Sequence, residues 1–93
     1  IDHEKNLRKA IELSKQSIDS GSSPFGCVIV DAEGKIVGEG HNRVAPDNDP
    51  TAHGEIVAIR NACRNLGTFD LSGCILYTSC EPCPMCLNAC KWA

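Results

Sequence analysis

From Asp2 to about Asp19, the apolar residues Leu7, Ala10, Ile11 and Ile18 recur at helical spacing among charged neighbours. This predicts a surface helix with one buried stripe and a stop at Gly21. The pattern then changes period. Phe25-Gly26-Cys27-Val28-Ile29-Val30 is a short, continuous apolar run rich in β-branched residues, and Asp31-Ala32-Glu33-Gly34 separates it from Lys35-Ile36-Val37-Gly38-Glu39-Gly40. Two antiparallel strands joined by a turn are expected there, followed by a polar loop from Asn42 to Asp49. Asp49-Pro50 fits the start of a second helix, with Asp49 as cap and Pro50 in the first turn. Ile56, Ile59, Cys63 and Leu66 mark its apolar face before Gly67. Cys74-Ile75-Leu76-Tyr77-Thr78-Ser79 reads as a third, buried strand. A last helix starts around Pro84 and carries Cys86, Cys90 and Trp92. The order strand, helix, strand, helix gives an α/β class.

Ninety-three residues suffice for one domain, residues 1–93, with modest burial, so a bound metal would add usefully to its stability. The net charge of -3, with no run of Lys or Arg, leaves no electrostatic footprint for a long nucleic-acid surface and favours a small-molecule partner. Phe25 to Val30, the longest apolar run, is far too short to span a bilayer, so no membrane partner is expected. The cysteines number seven, an odd count for a disulfide framework, and nothing like a secretory leader opens the sequence. Reduced thiols and a cytoplasmic location are the expectation.

The chemistry concentrates in His53-Gly54-Glu55 and Pro82-Cys83-Pro84-Met85-Cys86. His53, Cys83 and Cys86 are three zinc-type ligands, and Glu55 is a carboxylate that need not be a ligand. A structural zinc site is closed by four protein ligands, whereas a hydrolytic one keeps three and leaves the fourth position to water, whose pKa the metal lowers to roughly 7. Glu55 is then free to take a proton from that water and return it to a leaving amine. Both motifs fall at expected helix N-termini, where exposed amides and the dipole favour thiolate over thiol. A rival uses Cys80, Cys83, Cys86 and Cys90, whose spacing C-x2-C-x2-C-x3-C suits an iron–sulfur cluster. Against it, Lys91 rather than proline follows Cys90, no second cysteine run is present, and His53 and Glu55 would have no role. On the zinc reading, Cys80 and Cys90 support the ligands or pack beside them, and Cys27, Cys63 and Cys74 are small core residues.

His-x-Glu with Pro-Cys-x-x-Cys is the signature of zinc deaminases that act on nucleobases. With these residues the chain resembles the cytidine and deoxycytidylate deaminase superfamily, and within it most closely the guanine and guanosine deaminases. The resemblance runs through Pro24-Phe25-Gly26, Gly40-His41-Asn42, Asn48 to His53, Ala58-Ile59-Arg60 and Leu76 to Cys86. It implies a three-layer α/β/α fold with a mixed sheet and the hydrolytic deamination of a free purine, guanine to xanthine plus ammonia. Zinc and a homodimer are implied with it. Related tRNA adenosine deaminases usually show Thr-Leu-Glu-Pro-Cys-x-Met-Cys where this chain has Thr-Ser-Cys-Glu-Pro-Cys-Pro-Met-Cys, which favours a free purine over RNA. The remaining alternatives are a cytosine or cytidine substrate, tRNA adenosine, or a zinc-binding fragment without activity.

By the same resemblance Asn42 hydrogen-bonds the purine's polar edge, Phe25 stacks on the base, and Trp92 matches an aromatic position that approaches substrate. Each has a structural alternative, as a turn residue for Asn42 and as packing for Phe25 and Trp92. Gly54 stands where the family usually has alanine. Glycine loosens a helix start by up to about 1 kcal/mol but leaves its backbone amide open to substrate. Domains of this type continue with two more strands and flanking helices, and these are expected to be absent from a chain that stops at Ala93, a domain truncated at its C-terminus.

Overall fold

The computed structural model describes residues 2–93. Its elements are α1 (His3–Asp19), β1 (Gly26–Val30), β2 (Ile36–His41), α2 (Val44–Asp47), α3 (Gly54–Leu66), β3 (Ile75–Thr78) and α4 (Pro84–Trp92). The strands form one sheet in the order β2-β1-β3, and β1 pairs antiparallel with both neighbours. No parallel pair occurs among the described residues. The central position of β1 explains why its sequence is apolar without alternation, since both faces are covered. Val28 and Val30 face Ala10 and Leu13 of α1, while Cys27 and Ile29 face Ala58 and Ala62 of α3. The expected α/β/α layering is therefore present.

Both long helices bury a face shifted from the one that most of their large apolar residues mark, with Leu13 of α1 the large side chain that stays inside. On α1 the buried residues are Asn6, Ala10, Leu13, Ser14 and Ser17, whereas Leu7, Ile11 and Ile18 are 44, 48 and 55% exposed. The cause lies in β1. A Cβ on Gly26 would stand 2.2 Å from the Ala10 carbonyl oxygen and 2.5 Å from the Ser14 nitrogen, so the helix backbone rests directly on the strand. Apart from Leu13, only small side chains fit at that contact, and Leu7, Ile11 and Ile18 are displaced to the flank. The same holds for α3 on β2. A Cβ on Gly40 would come within 2.5 Å of the Ala58 nitrogen and 2.6 Å of the Gly54 oxygen, and one on Gly38 within 2.6 Å of the Ala58 oxygen. Gly54, Glu55, Ala58 and Ala62 are accordingly the buried residues of α3, Ile59 and Cys63 pack at the side, and Leu66 is exposed.

The start of α3 also differs from expectation. Asp49 does not cap it: its Oδ1 accepts from the Thr51 amide at 2.9 Å and the Thr51 hydroxyl at 2.6 Å, closing a local turn around Pro50. The helix begins at Gly54, with His53 in the capping position. The expected loop from Asn42 to Asp49 contains the single turn α2, ended by Asn48 in the left-handed conformation at φ 48°. β3 is half-exposed apart from Tyr77, because it lies at the sheet's edge. No described helix is long and apolar enough to cross a membrane.

Candidate metal centre and adjoining cavities

Two helix starts meet at the centre. His53 precedes α3 and Cys83 precedes α4, each with extended backbone, and Pro84 occupies the first turn of α4, where its missing N–H leaves no intrahelical bond unmade. Close packing of α3 on the glycines of β2 fixes the height of His53 above the sheet. His53 Nδ1 lies 3.6 Å from Cys83 Sγ and 3.5 Å from Cys86 Sγ. Tetrahedral zinc with sulfur at about 2.3 Å and nitrogen at about 2.0–2.1 Å places such atoms about 3.5–3.6 Å apart. The three ligand atoms therefore fit that ion. Among the described residues no other group of three such side chains converges, and neither Cys80 nor Cys90 joins this one. The iron–sulfur rival, which needs all four cysteines together, is not supported.

The two thiols are held differently. The Cys86 amide donates to Cys83 Sγ at 3.5 Å, and this bond holds the Cys83 thiol below its ordinary pKa. Cys86 is fully buried, and desolvation first, then Cys83 and the Glu55 carboxylate, push its thiol well up. The expectation that the helix terminus favours both thiolates holds for Cys83 alone. A divalent cation offsets such burial, because a coordinated thiol is deprotonated outright.

Two cavities share Phe25 and His53 in their walls. The smaller, about 110 Å³, is lined by Phe25, His53, Glu55, Cys80, Glu81 and Cys83. Glu55 is 6% exposed, the most enclosed carboxylate of the site. The larger, about 350 Å³, lies between the loop before β1 and the turn α2, with Ser22, Asn42, Val44 and Ala45 in its wall. Asn42 is buried, its backbone N–H donates to the Phe25 carbonyl at 3.1 Å, and its side-chain Oδ1 accepts from the Val44 backbone N–H at 3.1 Å. A donor at Val44 settles the orientation of the side-chain amide. A Cβ on Gly54 would lie 3.1 Å from the Phe25 oxygen, so this glycine is in close contact with the same segment.

Of the residues singled out in the sequence, His53, Cys83, Cys86, Glu55, Phe25, Asn42 and Gly54 gather at or beside the two cavities. Trp92 does not: it ends α4, is 90% exposed, and lines neither cavity. Glu81 and Cys80 reach the smaller cavity without having been picked out as substrate contacts, although their place beside Pro82 was a signal. Ser22, Val44 and Ala45 carried none, since only folding of two loops against each other brings them together.

A family model described as the cytidine and deoxycytidylate deaminase zinc-binding region matches residues 1–93. Guanine deaminase of Bacillus subtilis is 53% identical over 94 residues, covering 100% of this chain and 60% of that protein. A tRNA-specific adenosine deaminase of Aquifex aeolicus is 46% identical over 83 residues, covering 89% of this chain and 54% of that one. The crystal structure of the Bacillus guanine deaminase superposes with a TM-score of 0.95, covering 100% of this chain and 59% of the other. The chain thus spans little more than half the length of these relatives.

Proposed function

The chain belongs to the cytidine and deoxycytidylate deaminase family, and from that premise we propose that it deaminates a free purine by hydrolysis, with guanine giving xanthine and ammonia. The observation that carries this reading is the enclosed Glu55 carboxylate in one cavity with His53 and Cys83, beside a three-ligand site whose spacing fits zinc. His53, Cys83 and Cys86 would hold zinc, which would supply Lewis acidity and make the attacking water easier to deprotonate. Glu55 takes a proton from the attacking water and delivers it to the departing amino group. The purine carbon gains the water's oxygen and loses ammonia, so the atoms balance.

Asn42, whose Oδ1 already accepts from Val44, presents its Nδ2 as a donor to the purine edge. Gly54 begins α3, where an amide has no intrahelical acceptor, and we assign that N–H to substrate. Phe25, common to both cavities, stacks on the base. Trp92 would approach substrate only if its exposed ring were brought in by something that covers α4. We place the protein in the cytoplasm, in keeping with seven free cysteines, and propose a second copy of the chain as its macromolecular partner.

An ammonia-release assay on zinc-loaded protein across guanine, guanosine, cytosine, cytidine and adenine tests the reading, with guanine expected to turn over fastest. No release from any of them at full zinc occupancy would leave a zinc-binding fragment without activity. Glu55→Gln should abolish turnover and keep the metal. Loss of zinc from that variant would make Glu55 a ligand and overturn its assignment as proton carrier.

A further inference from the structure

β3 ends at Thr78, yet the chain stays tied to β1 for one residue more, because the Ser79 backbone N–H donates to the Gly26 carbonyl at 3.0 Å. In an antiparallel pair of this kind the return bond runs from the Gly26 N–H to the partner's backbone carbonyl. Here it runs to the Ser79 side-chain oxygen, at 3.1 Å. The hydroxyl takes the acceptor's place, so the Ser79 carbonyl can turn away as the chain leaves the sheet toward Cys83. Thr78 shapes the same exit, its hydroxyl donating to the Cys80 carbonyl at 2.9 Å. Gly26 cannot move to find another acceptor, since it is buried and the α1 backbone rests directly on it.

Both halves of the metal centre take their position from this segment. On one side Phe25, next to Gly26, accepts the Asn42 N–H at 3.1 Å and lies close to Gly54, the residue after His53. On the other side Ser79 and Cys83 are four positions apart, and Pro82 fixes one of the few backbone angles between them. A change in where the chain leaves the sheet is therefore passed on to Cys83 with little loss. We propose that Ser79 is a positioning residue for the metal centre: by accepting the Gly26 N–H in place of its own carbonyl, its hydroxyl sets the point of departure from the sheet and so the spacing of Cys83 from His53. Without the hydroxyl, either the buried Gly26 N–H is left unpaired or the Ser79 carbonyl swings in to take it and draws the cysteine loop with it. The proposal rests on His53, Cys83 and Cys86 holding a metal, and goes beyond that by assigning their spacing to a residue that supplies no ligand.

The test reads the metal site directly, through the visible absorption of Co(II)-loaded protein, which reports ligand geometry, and through the zinc dissociation constant measured in competition with a chelating dye. Ser79→Ala should shift the Co(II) bands and weaken zinc binding by roughly tenfold. Ser79→Thr, which keeps the hydroxyl, should restore both. Asn65→Ala serves as the control: it also removes a side-chain bond to a strand, the one to the Val37 carbonyl at 2.8 Å, but near the end of α3 away from His53. It should lower the urea midpoint and leave the Co(II) bands in place. Circular dichroism checks the fold of each variant, and Ser79→Val beside Ser79→Thr makes the same comparison should the alanine variant not fold. Unchanged bands and affinity in Ser79→Ala, no recovery in Ser79→Thr, or an equal change in Asn65→Ala overturns the proposal while leaving the ligand set intact. If the unaltered chain binds neither Co(II) nor zinc, the metal centre itself falls and takes the proposal with it.

Discussion

Cys83 and Cys86 stand three residues apart and do opposite things with a proton. Cys83 precedes the helix and receives an amide hydrogen bond, so its thiol is held low. Cys86, one turn in, is buried beside Cys83 and Glu55, so its thiol is held high. Without a cation the second thiol stays protonated at neutral pH, and metal loading must release that proton. Removing either sulfur breaks the tetrahedral set, and Cys90, half-buried against an apolar cavity with Ile29 and Leu76, is not placed to replace it. We predict that Cys86→Ser lowers the zinc content of purified protein from about one per chain to well below half, while Cys90→Ser keeps it. Metal analysis checks both. Retained zinc in Cys86→Ser, or equal loss in Cys90→Ser, would favour a different ligand set.

Elements reach the site through close backbone contact. Because α3 rests on Gly38 and Gly40 of β2, a methyl group at Gly40 must push the helix away, and the first turn of that helix carries Glu55 and follows His53. Gly40→Ala should destabilise the fold by about 1–3 kcal/mol and lower zinc retention with it. Gly54→Ala, whose new Cβ meets the Phe25 oxygen at 3.1 Å, needs a shift of only a few tenths of an ångström and should cost less. Urea unfolding midpoints rank the two, and a midpoint for Gly40→Ala equal to that of the unaltered chain would remove the argument. The same contacts explain what sequence reading finds and misses. Two antiparallel strands around a turn, a helix entered at Pro84 and the convergence of His53, Cys83 and Cys86 into a set that could hold a metal are all legible, because each depends on local chemistry or on short spacing. The buried faces of α1 and α3 are not, because hydrophobic periodicity assumes that large residues point inward. Here glycines on the facing strands bring the backbones together, so Ala10, Ser14, Ala58 and Ala62 go inside instead. Asp49 misleads for a different reason: cap and local turn use the same side-chain oxygen, and in this chain the turn takes it.

At the scale of the whole molecule, the two outer strands of the sheet are unequal. On β2 the pairing slips at Val37, where a bulge breaks the ladder, and the carbonyls of Val37 and Glu39 accept from the side-chain amides of Asn65 and Asn61 at 2.8 Å each. Bulges and occupied carbonyls blunt an edge against further strands. β3 has no such protection: among the described residues its outer edge pairs with nothing, and Phe69 and Trp92 stand 87 and 90% exposed elsewhere on the surface. An open edge on a molecule with exposed apolar side chains invites a second copy. We therefore expect association through β3 and not through β2, with a dimer in sedimentation equilibrium at micromolar concentration. Ile75→Lys places a charge on the open strand, though at a side chain that packs against Ala10, Leu13 and Val28, and should shift the protein toward monomer, whereas a lysine at Ile36, on the protected strand, should leave the dimer in place. Circular dichroism of both variants separates loss of association from loss of fold. A well-behaved monomer of the unaltered chain would end the argument, and a dimer that survives Ile75→Lys but not a lysine at Ile36 would move the interface to the opposite side of the sheet.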